Sequence, residues 1–399
     1  MQPNPASYRD PDGFVFEHEG EIYRFIADAY EPHYQLLMQS GLYAQLSATG
    51  KLIPHEEATV SLPGGRVIKP QQVPFISYPY EWSFDMWKDA ALLTLDMALT
   101  AFSKGMVLKD ATPFNVQFIH SQPVFIDTLS FTAYEAGKPW VAYRQFAECF
   151  LGPLLLQRYG HPLANRVFAA YPNGIPLALL VKWLPAKARW SAGVNLHVFL
   201  QEKLTRNAHL ARPAKAGSFS AKQFETLLRG LQAFVQSMKA PTVKTSWADY
   251  YATGILGPAY LAAKEALVKD FASEVGVQTI IDLGANDGHF CRLFKDKNII
   301  ALDVDGNCIN QLYLSAKKEN WPILPLNADL LAPSPAIGWN NEERSSITHR
   351  LRADMVLALA LVHHLAIGGN VPLDKIAAWL QPMAPNLLIE FVPKQDEKV

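Results

Sequence analysis

Residues 279–291 read TIIDLGANDGHFC, an apolar run that delivers the chain to Gly284, Asn286 and Gly288 and then to a helix-compatible stretch. Glycines at the point where a chain leaves a sheet let a ligand approach the backbone. The third glycine of the dinucleotide fingerprint is missing, and Asp282 and Asp287 make the loop acidic. An acidic loop repels pyrophosphate and suits a ligand that carries a cationic group beside an amino acid moiety. The next apolar run ends in ALDVD and places Asp303 nineteen residues after Gly284, where the second strand of a nucleotide-binding unit ends. A carboxylate there can accept hydrogen bonds from both ribose hydroxyls. Asn327, Ala328 and Asp329 follow the third run, at a position where an adenine amino group can be recognised. The fourth run begins at Asp354 and ends in LVHHL, which puts His363 and His364 at its C-terminal edge. Ligands of open α/β sheets bind outside those edges.

In this order and spacing, IDLGANDGHF, ALDVD, NADLL and ADMVLALALVHHL, all between residues 281 and 365, resemble the successive motifs of class I S-adenosylmethionine-dependent methyltransferases. The resemblance implies that Gly284, Asn286 and Gly288, with Asp282 at the entry of the loop, hold the methionine part of S-adenosyl-L-methionine. It implies that Asp303 binds the ribose and that Asp329 faces the adenine. The HHL segment is similar to one that flanks the acceptor pocket in such enzymes, so His363 and His364 are candidate bases; the other reading makes them packed, hydrogen-bonded histidines. That family normally completes its sheet with an antiparallel pair after the fifth parallel strand. Few residues follow NLLIEFV here, so the sheet either lacks its last two strands or takes its edge from elsewhere in the chain. An open edge is an aggregation liability.

A second constellation lies in VLKDATPFNVQFIHSQPVFIDTLSF, residues 107–131, where Asp110 and Asn115 precede two short apolar strands and Asp127 closes the segment. Phosphoryl transfer needs a carboxylate near the attacking hydroxyl, and an amide oxygen with a second carboxylate to hold magnesium against the phosphates. The spacing resembles the catalytic and metal-binding loops of protein-kinase-like and aminoglycoside-phosphotransferase-like enzymes. That resemblance implies Asp110 as base, Asn115 and Asp127 as Mg ligands, and ATP as the nucleotide. Leu108 and Lys109 replace the usual histidine and arginine, and Asp127-Thr128-Leu129 replaces DFG. No glycine-rich phosphate loop precedes them. Lys51 and Lys69 are the lysines ahead of the helical run over 84–103, while Arg24 sits in the second strand of the first hairpin. The competing reading is a β-hairpin whose Asp and Asn cap turns. A kinase-like N-terminal half joined to such a methyltransferase half is similar to the rhizobial host-specific nodulation protein family, with SWADYY and GWNNEERSS pointing the same way.

The elements that must position these residues follow from hydrophobic pattern. GFVFEHEGEIYRFI, residues 13–26, alternates around Gly20 and predicts a β-hairpin; helices are expected over 34–47, 84–103 and 222–238. After Pro241, short apolar runs at 279–283, 298–304, 323–326, 354–361 and 386–392 alternate with helical stretches. Continuous apolar strands are buried on both faces, which implies a parallel sheet covered by helices. The expectation is an α/β, Rossmann-like sheet preceded by a kinase-like α+β domain: residues 1–215, a helical linker over 216–240, and the methyltransferase domain over 241–399. Trp247, Tyr250 and Tyr251 precede the first strand as a lid or as packing. Asn340, Glu342 and Glu343 lie in a polar insertion that reads equally as surface loop.

With 399 residues, 49% of them hydrophobic and 18% charged, the chain can bury an ample core, and it is no disordered tail. Its 36 basic and 37 acidic residues give a net charge of −1, which argues against a general polyanion binder and against nucleic acid as acceptor. A local excess of eight basic residues against Glu202 alone runs from Lys182 to Lys222; a solvated face and a phosphate-bearing ligand or partner both account for it. Cys149, Cys291 and Cys308 are scattered and fit a reducing compartment. No leader and no spanning run of ~18 apolar residues is visible, so the expectation is a cytoplasmic protein with no membrane role. The expected activity is methyl transfer to an oxygen, nitrogen or carbon of a small or carrier-linked acceptor. The rivals are a phosphotransferase acting through Asp110, Asn115 and Asp127, and a non-catalytic cofactor-binding scaffold.

Overall fold

The computed structural model describes residues 2–161, 163–206, 219–241 and 257–392. The expectations for Trp247, Tyr250 and Tyr251, and for the loop over 211–218, lie outside the described residues.

The alternating N-terminal sequence forms an antiparallel sheet ordered β1-β2-β3-β5-β4, with β1 Gln2–Pro3, β2 Gly13–His18, β3 Glu21–Ala27, β4 His55–Glu57 and β5 Gly65–Pro70. Glu19 and Gly20 both take positive φ (53° and 78°), the tight turn whose twist suits a two-residue hairpin. The helical expectation over 34–47 is met by α1 (Glu31–Gln39) and α2 (Leu42–Ala48), broken where Gly41 takes φ 75°. Helix α3 spans Phe84–Ser103, and its many buried small and aromatic residues make it the spine of the N-terminal half. The short strands β6 (Met106–Leu108), β7 (Val116–Ile119), β8 (Gln122–Phe125) and β9 (Phe131–Ala133) follow it, with β7 and β8 forming a hairpin. Short helices then run from α4 (Tyr143–Phe146) to α9 (Leu200–Arg206). Helix α10 (Ala221–Ser237) opens on a capping box between Ser220 and Gln223. It buries Phe224, Leu228, Leu231 and Val235 at helical spacing, and Phe224 stacks on Phe102 of α3 at 4.7 Å.

The C-terminal half is built on five parallel strands: β10 (Thr279–Leu283), β11 (Asn298–Asp303), β12 (Ile323–Asn327), β13 (Met355–Ala358) and β14 (Asn386–Ile389). Their order is β12-β11-β10-β13-β14, and β10 at the centre is buried over its last four residues. Helices α11 (Pro258–Val275), α12 (Gly306–Glu319), α13 (Ile347–Arg350) and α14 (Leu373–Leu380) complete this half. Two expectations need adjustment and one open alternative narrows. The stretch after the glycine loop is not an α-helix: between Gly288 and Asn298 the chain makes turns and one 3₁₀ turn, Cys291–Leu293. The connection from β10 to β11 covers residues 284–297, and the glycine loop takes up its first part, so the remainder closes as turns. The fourth strand ends at Ala358 rather than Leu361, because Ala360 takes φ 51° and turns the chain out of the sheet. Finally, no strand pairs with the outer edge of β14 among the described residues, so this edge is not supplied from elsewhere in them.

The halves share one core. Tyr313, Leu324 and Leu326 belong to the same buried cluster as Trp82, Trp87 and Phe118, with the Phe118 and Tyr313 rings edge to face at 5.8 Å. Polar contacts ring this junction. Asp89 accepts from both Tyr313 Oη and Lys317 Nζ at 2.5 Å, the Asn310 carboxamide meets the Asp85 backbone N–H and carboxylate at 2.8 Å, and Ser121 Oγ donates to the Ile323 carbonyl at 2.8 Å. The Glu81 carboxylate is the most enclosed of these groups. It takes Arg350 Nη1 at 3.2 Å and Nη2 closer still, Ser334 Oγ at 2.5 Å and the Tyr78 N–H at 2.9 Å. The polar insertion is part of the junction and not a free surface loop. Glu343 is buried against Tyr8 Oη (2.7 Å) and Arg9, and Arg344 stacks on Phe114 at 4.3 Å.

Candidate functional site

A doubly wound sheet places its ligand crevice where strand order reverses, outside the carboxyl ends of the strands. Here that point lies between β10 and β13. A cavity of about 280 Å³ opens there, walled by Gly284, Asn286, Asp303, Ala328, Asp329 and His364, with Leu330, Leu331, Leu361 and Leu365 as its apolar side.

Local geometry explains each polar member. Gly284 (φ 77°) and Asn286 (φ 52°) take left-handed backbone conformations as the chain leaves β10. The turn aims the Asn286 N–H at Asp303 Oδ2, 2.8 Å away, while Asp303 Oδ1 accepts the Asp305 N–H at 2.8 Å. Two backbone donors thus fix the rotamer of Asp303 at the end of β11. Burial raises its carboxyl above the usual aspartate range, and these N–H groups oppose the rise. Asp329 Oδ1 accepts the Leu331 N–H at 3.0 Å, and its Oδ2 meets Arg166 Nη2 at 2.5 Å. Arg166 comes from a helix of the N-terminal half, Ala164–Ala170, so both halves reach the rim of this cavity.

The two histidines divide. Their rings lie 3.9 Å apart, but only His364 is in the cavity wall. Burial, then the neighbouring His363, lowers the His364 pKa, which keeps its imidazole neutral at pH 7 and able to accept a proton. Asp282 and Gly288, both expected at the ligand, stand behind the lining. Asp282 is fully buried under the loop, where Cys291 Sγ donates to it at 3.1 Å, and burial pushes its carboxyl up to about 6. Gly288 has φ 81°, and a Cβ there would lie 2.4 Å from Leu312 Cδ1, so its service is to let α12 approach the loop.

The second constellation is also assembled, and the charge of Asp127 is already balanced. Asp110 accepts from Gln145 Nε2, and its carboxyl is raised by burial and by the charge of Asp127. Asn115 Nδ2 donates to Ser130 Oγ at 3.0 Å and points at Asp127 Oδ2 at 3.5 Å. Asp127 is paired with Arg24 of β3, takes Ser130 Oγ at 2.5 Å, and accepts the Leu129 N–H at 3.3 Å. Burial would raise its carboxyl, but Arg24 and these donors hold it below the usual range. A Mg ion at Asn115 and Asp127 would have to displace Arg24 from a carboxylate whose charge it balances, so the donor set as arranged does not fit the metal. Among the described residues no cluster of three or more His, Cys, Asp or Glu has metal-binding geometry.

The chain is 34% identical to nodulation protein NoeA of Rhizobium meliloti (strain 1021) over 409 residues, covering 99% of this chain and 86% of that protein. It belongs to the NoeA family. No model in a scan of protein families matches it. Solved structures similar to this NoeA-family chain include WbdD (14% identity, 41% of this chain and 36% of that one, TM-score 0.29). Others are the 16S rRNA methylase RmtB (13%, 50% and 79%, 0.25) and the Mycobacterium tuberculosis PknI kinase domain (13%, 55% and 90%, 0.24). The chain thus spans little more than a third of WbdD, and at such scores its fold rests on its own strand order.

Three residues of the NoeA-family site carry no sequence signal of their role. Arg166 lies 163 positions from its partner Asp329. Ala360, in the cavity wall at φ 51°, is an alanine in a conformation that L residues rarely adopt, a strain of the kind stored at functional sites. Gln145 reaches Asp110 from a helix that no motif marks. No helix among the described residues is long and apolar enough to cross a membrane.

Proposed function

We propose that this chain is an S-adenosylmethionine-dependent methyltransferase whose acceptor is an oxygen, nitrogen or carbon nucleophile of a small or carrier-linked molecule. The observation that carries the reading is Asp303. It is a carboxylate at the end of the second strand of the unit, steadied by two backbone N–H groups, in the wall of a cavity at the reversal of strand order. Such a group suits a ligand with vicinal hydroxyls. The absence of an α-helix after the glycine loop argues against a pyrophosphate cofactor, which relies on a helix N-terminus. The residues present fit the sulfonium cofactor: the Asp303 carboxylate, an open backbone at Gly284, and an apolar side for the adenine.

The cofactor supplies an electrophilic methyl carbon on a positively charged sulfur. The chain's contribution is alignment and exclusion of water, because the transfer is an in-line displacement. Asp303 orients the ribose, Asp329 offers an acceptor to an adenine amino group, and Leu361 and Leu365 shield the site. Neutral His364 takes the proton of an acceptor that is protonated at working pH. Calorimetric titration of S-adenosylmethionine into the purified chain tests the reading. One saturable site, weakened by Asp303→Ala about tenfold or more, is expected; a folded chain that binds none overturns it.

The N-terminal half is then a kinase-like scaffold that contributes Arg166 and the wall around α12. A phosphotransferase reading through Asp110, Asn115 and Asp127 with Mg and ATP has less support, because Arg24 holds Asp127.

A further inference from the structure

Four of the eight basic residues of the local excess gather at one groove. A cavity of about 650 Å³ opens between the helix Leu177–Trp183 and α9, walled by Lys182, Arg189, Asn195, Lys203 and Arg206, with Glu202 as the one carboxylate among its described lining residues. Glu202 faces Arg206 at 3.8 Å; Lys182, Arg189 and Lys203 have no carboxylate within ion-pair distance among the described residues. The sequence offers none nearby, since no Asp or Glu occurs between Glu202 and Glu225. Arg189 lies over the Phe199 ring at 4.5 Å, which holds the guanidinium plane and leaves its edge of N–H donors to meet a partner. The rest of the wall is apolar, from Ala178, Val181 and Leu200.

We propose that this groove binds a phosphate-bearing ligand with an organic portion. Four cations converging on one concavity repel one another and raise the local concentration of anions. The guanidinium fork of Arg189 matches phosphate oxygens in pairs, and Lys182 and Lys203 add point charges. The volume exceeds what a lone phosphate fills and falls in the range of small-molecule sites. The apolar strip gives the organic portion a surface. The site is separate from the cavity at Asp303, and the inference stands whether or not that cavity takes a methyl donor.

Phosphate chemistry can come from a soluble metabolite or from a lipid headgroup, and two arms separate them. The full chain is titrated calorimetrically with inorganic pyrophosphate, and it is co-sedimented with phosphatidylcholine vesicles with and without phosphatidylglycerol. The variant is Lys182→Glu with Lys203→Glu, both exposed, so that the core is untouched. Lys318→Glu, at an exposed lysine on α12, controls for bulk charge. The expected result is saturable binding in at least one arm, weakened about tenfold or more by the double variant and unchanged by the control. Pyrophosphate binding assigns a soluble ligand, and binding to phosphatidylglycerol vesicles alone assigns a headgroup. No binding in either arm, binding indifferent to the double variant, or equal loss in the control overturns the proposal.

Discussion

Arg166 Nη2 lies 2.5 Å from Asp329 Oδ2, and through that contact the N-terminal half reaches the wall of the cavity that the parallel sheet builds. Both side chains are partly exposed, so the pair itself stabilises little, about 0–1 kcal/mol. Its effect is on what Asp329 can accept. On the proposed methyltransferase reading, Arg166→Ala would free an oxygen of Asp329 for an adenine amino group, and S-adenosylmethionine should bind as well or a few-fold tighter, with the melting temperature almost unchanged. Asp329→Ala should weaken binding about tenfold. Calorimetry on both variants checks the pair; tighter binding in Asp329→Ala would refute the assignment.

The Glu81 and Arg350 pair is a different case, because both side chains are almost entirely removed from solvent. Arg350→Met leaves the Glu81 carboxylate buried without its cation, which costs about 3–5 kcal/mol. The expected readout is a drop in the urea midpoint. Restoring stability with a second change, Glu81→Gln, would show that the uncompensated charge was the cause.

Asp282 makes stability depend on pH. Its carboxyl sits at about 6 in the folded chain, against the ordinary aspartate value of about 3.9 in the unfolded chain. The protonated form is therefore favoured by folding: the contribution is present below about pH 4 and is lost as pH rises through 6. Asp282→Asn removes this dependence. Between pH 4 and 6 the variant should gain on the wild-type chain by roughly 1.4 kcal/mol per unit of the shift, as followed by denaturant unfolding at several pH values. A constant difference across that window would contradict the burial argument.

In the proposed methyl transfer, His364 would give the activity an acid limb. With its pKa lowered, the imidazole stays neutral through pH 7 and gains a proton only in more acidic solution. Methyl transfer to a protonated acceptor should be flat near neutrality and fall on acidification. His364→Gln should lower kcat about 10²-fold or more and abolish the acid limb, while KM for the methyl donor stays close to wild type. His363→Gln, outside the cavity wall, should leave the limb in place.

The parallel strands were legible because each is a continuous apolar run closed by a turn residue, and TIIDL matches β10 residue for residue. The glycine loop and Asp303 could be placed on the same grounds, since the distance from loop to second strand end is local in sequence. What the pattern could not show was everything decided by contacts distant along the chain. Arg24 at Asp127, Arg166 at Asp329 and Glu343 at Arg9 are pairings across more than 100 residues. Gly288 was legible as a glycine but not as a packing glycine, because its neighbour Leu312 belongs to a helix with no motif. The helix-compatible stretch after the loop folds instead as turns and one 3₁₀ turn, which its composition does not distinguish from a helix.

The aromatic cluster that joins Trp82 and Phe118 to Tyr313, Leu324 and Leu326 makes the two halves indivisible. Expressed alone, the C-terminal segment would turn a tyrosine and two leucines out to water, and the N-terminal segment would strand the Asp89 and Glu81 carboxylates without their cations. Neither piece is a portable module to be swapped onto another protein, and fragments should precipitate where the intact chain dissolves.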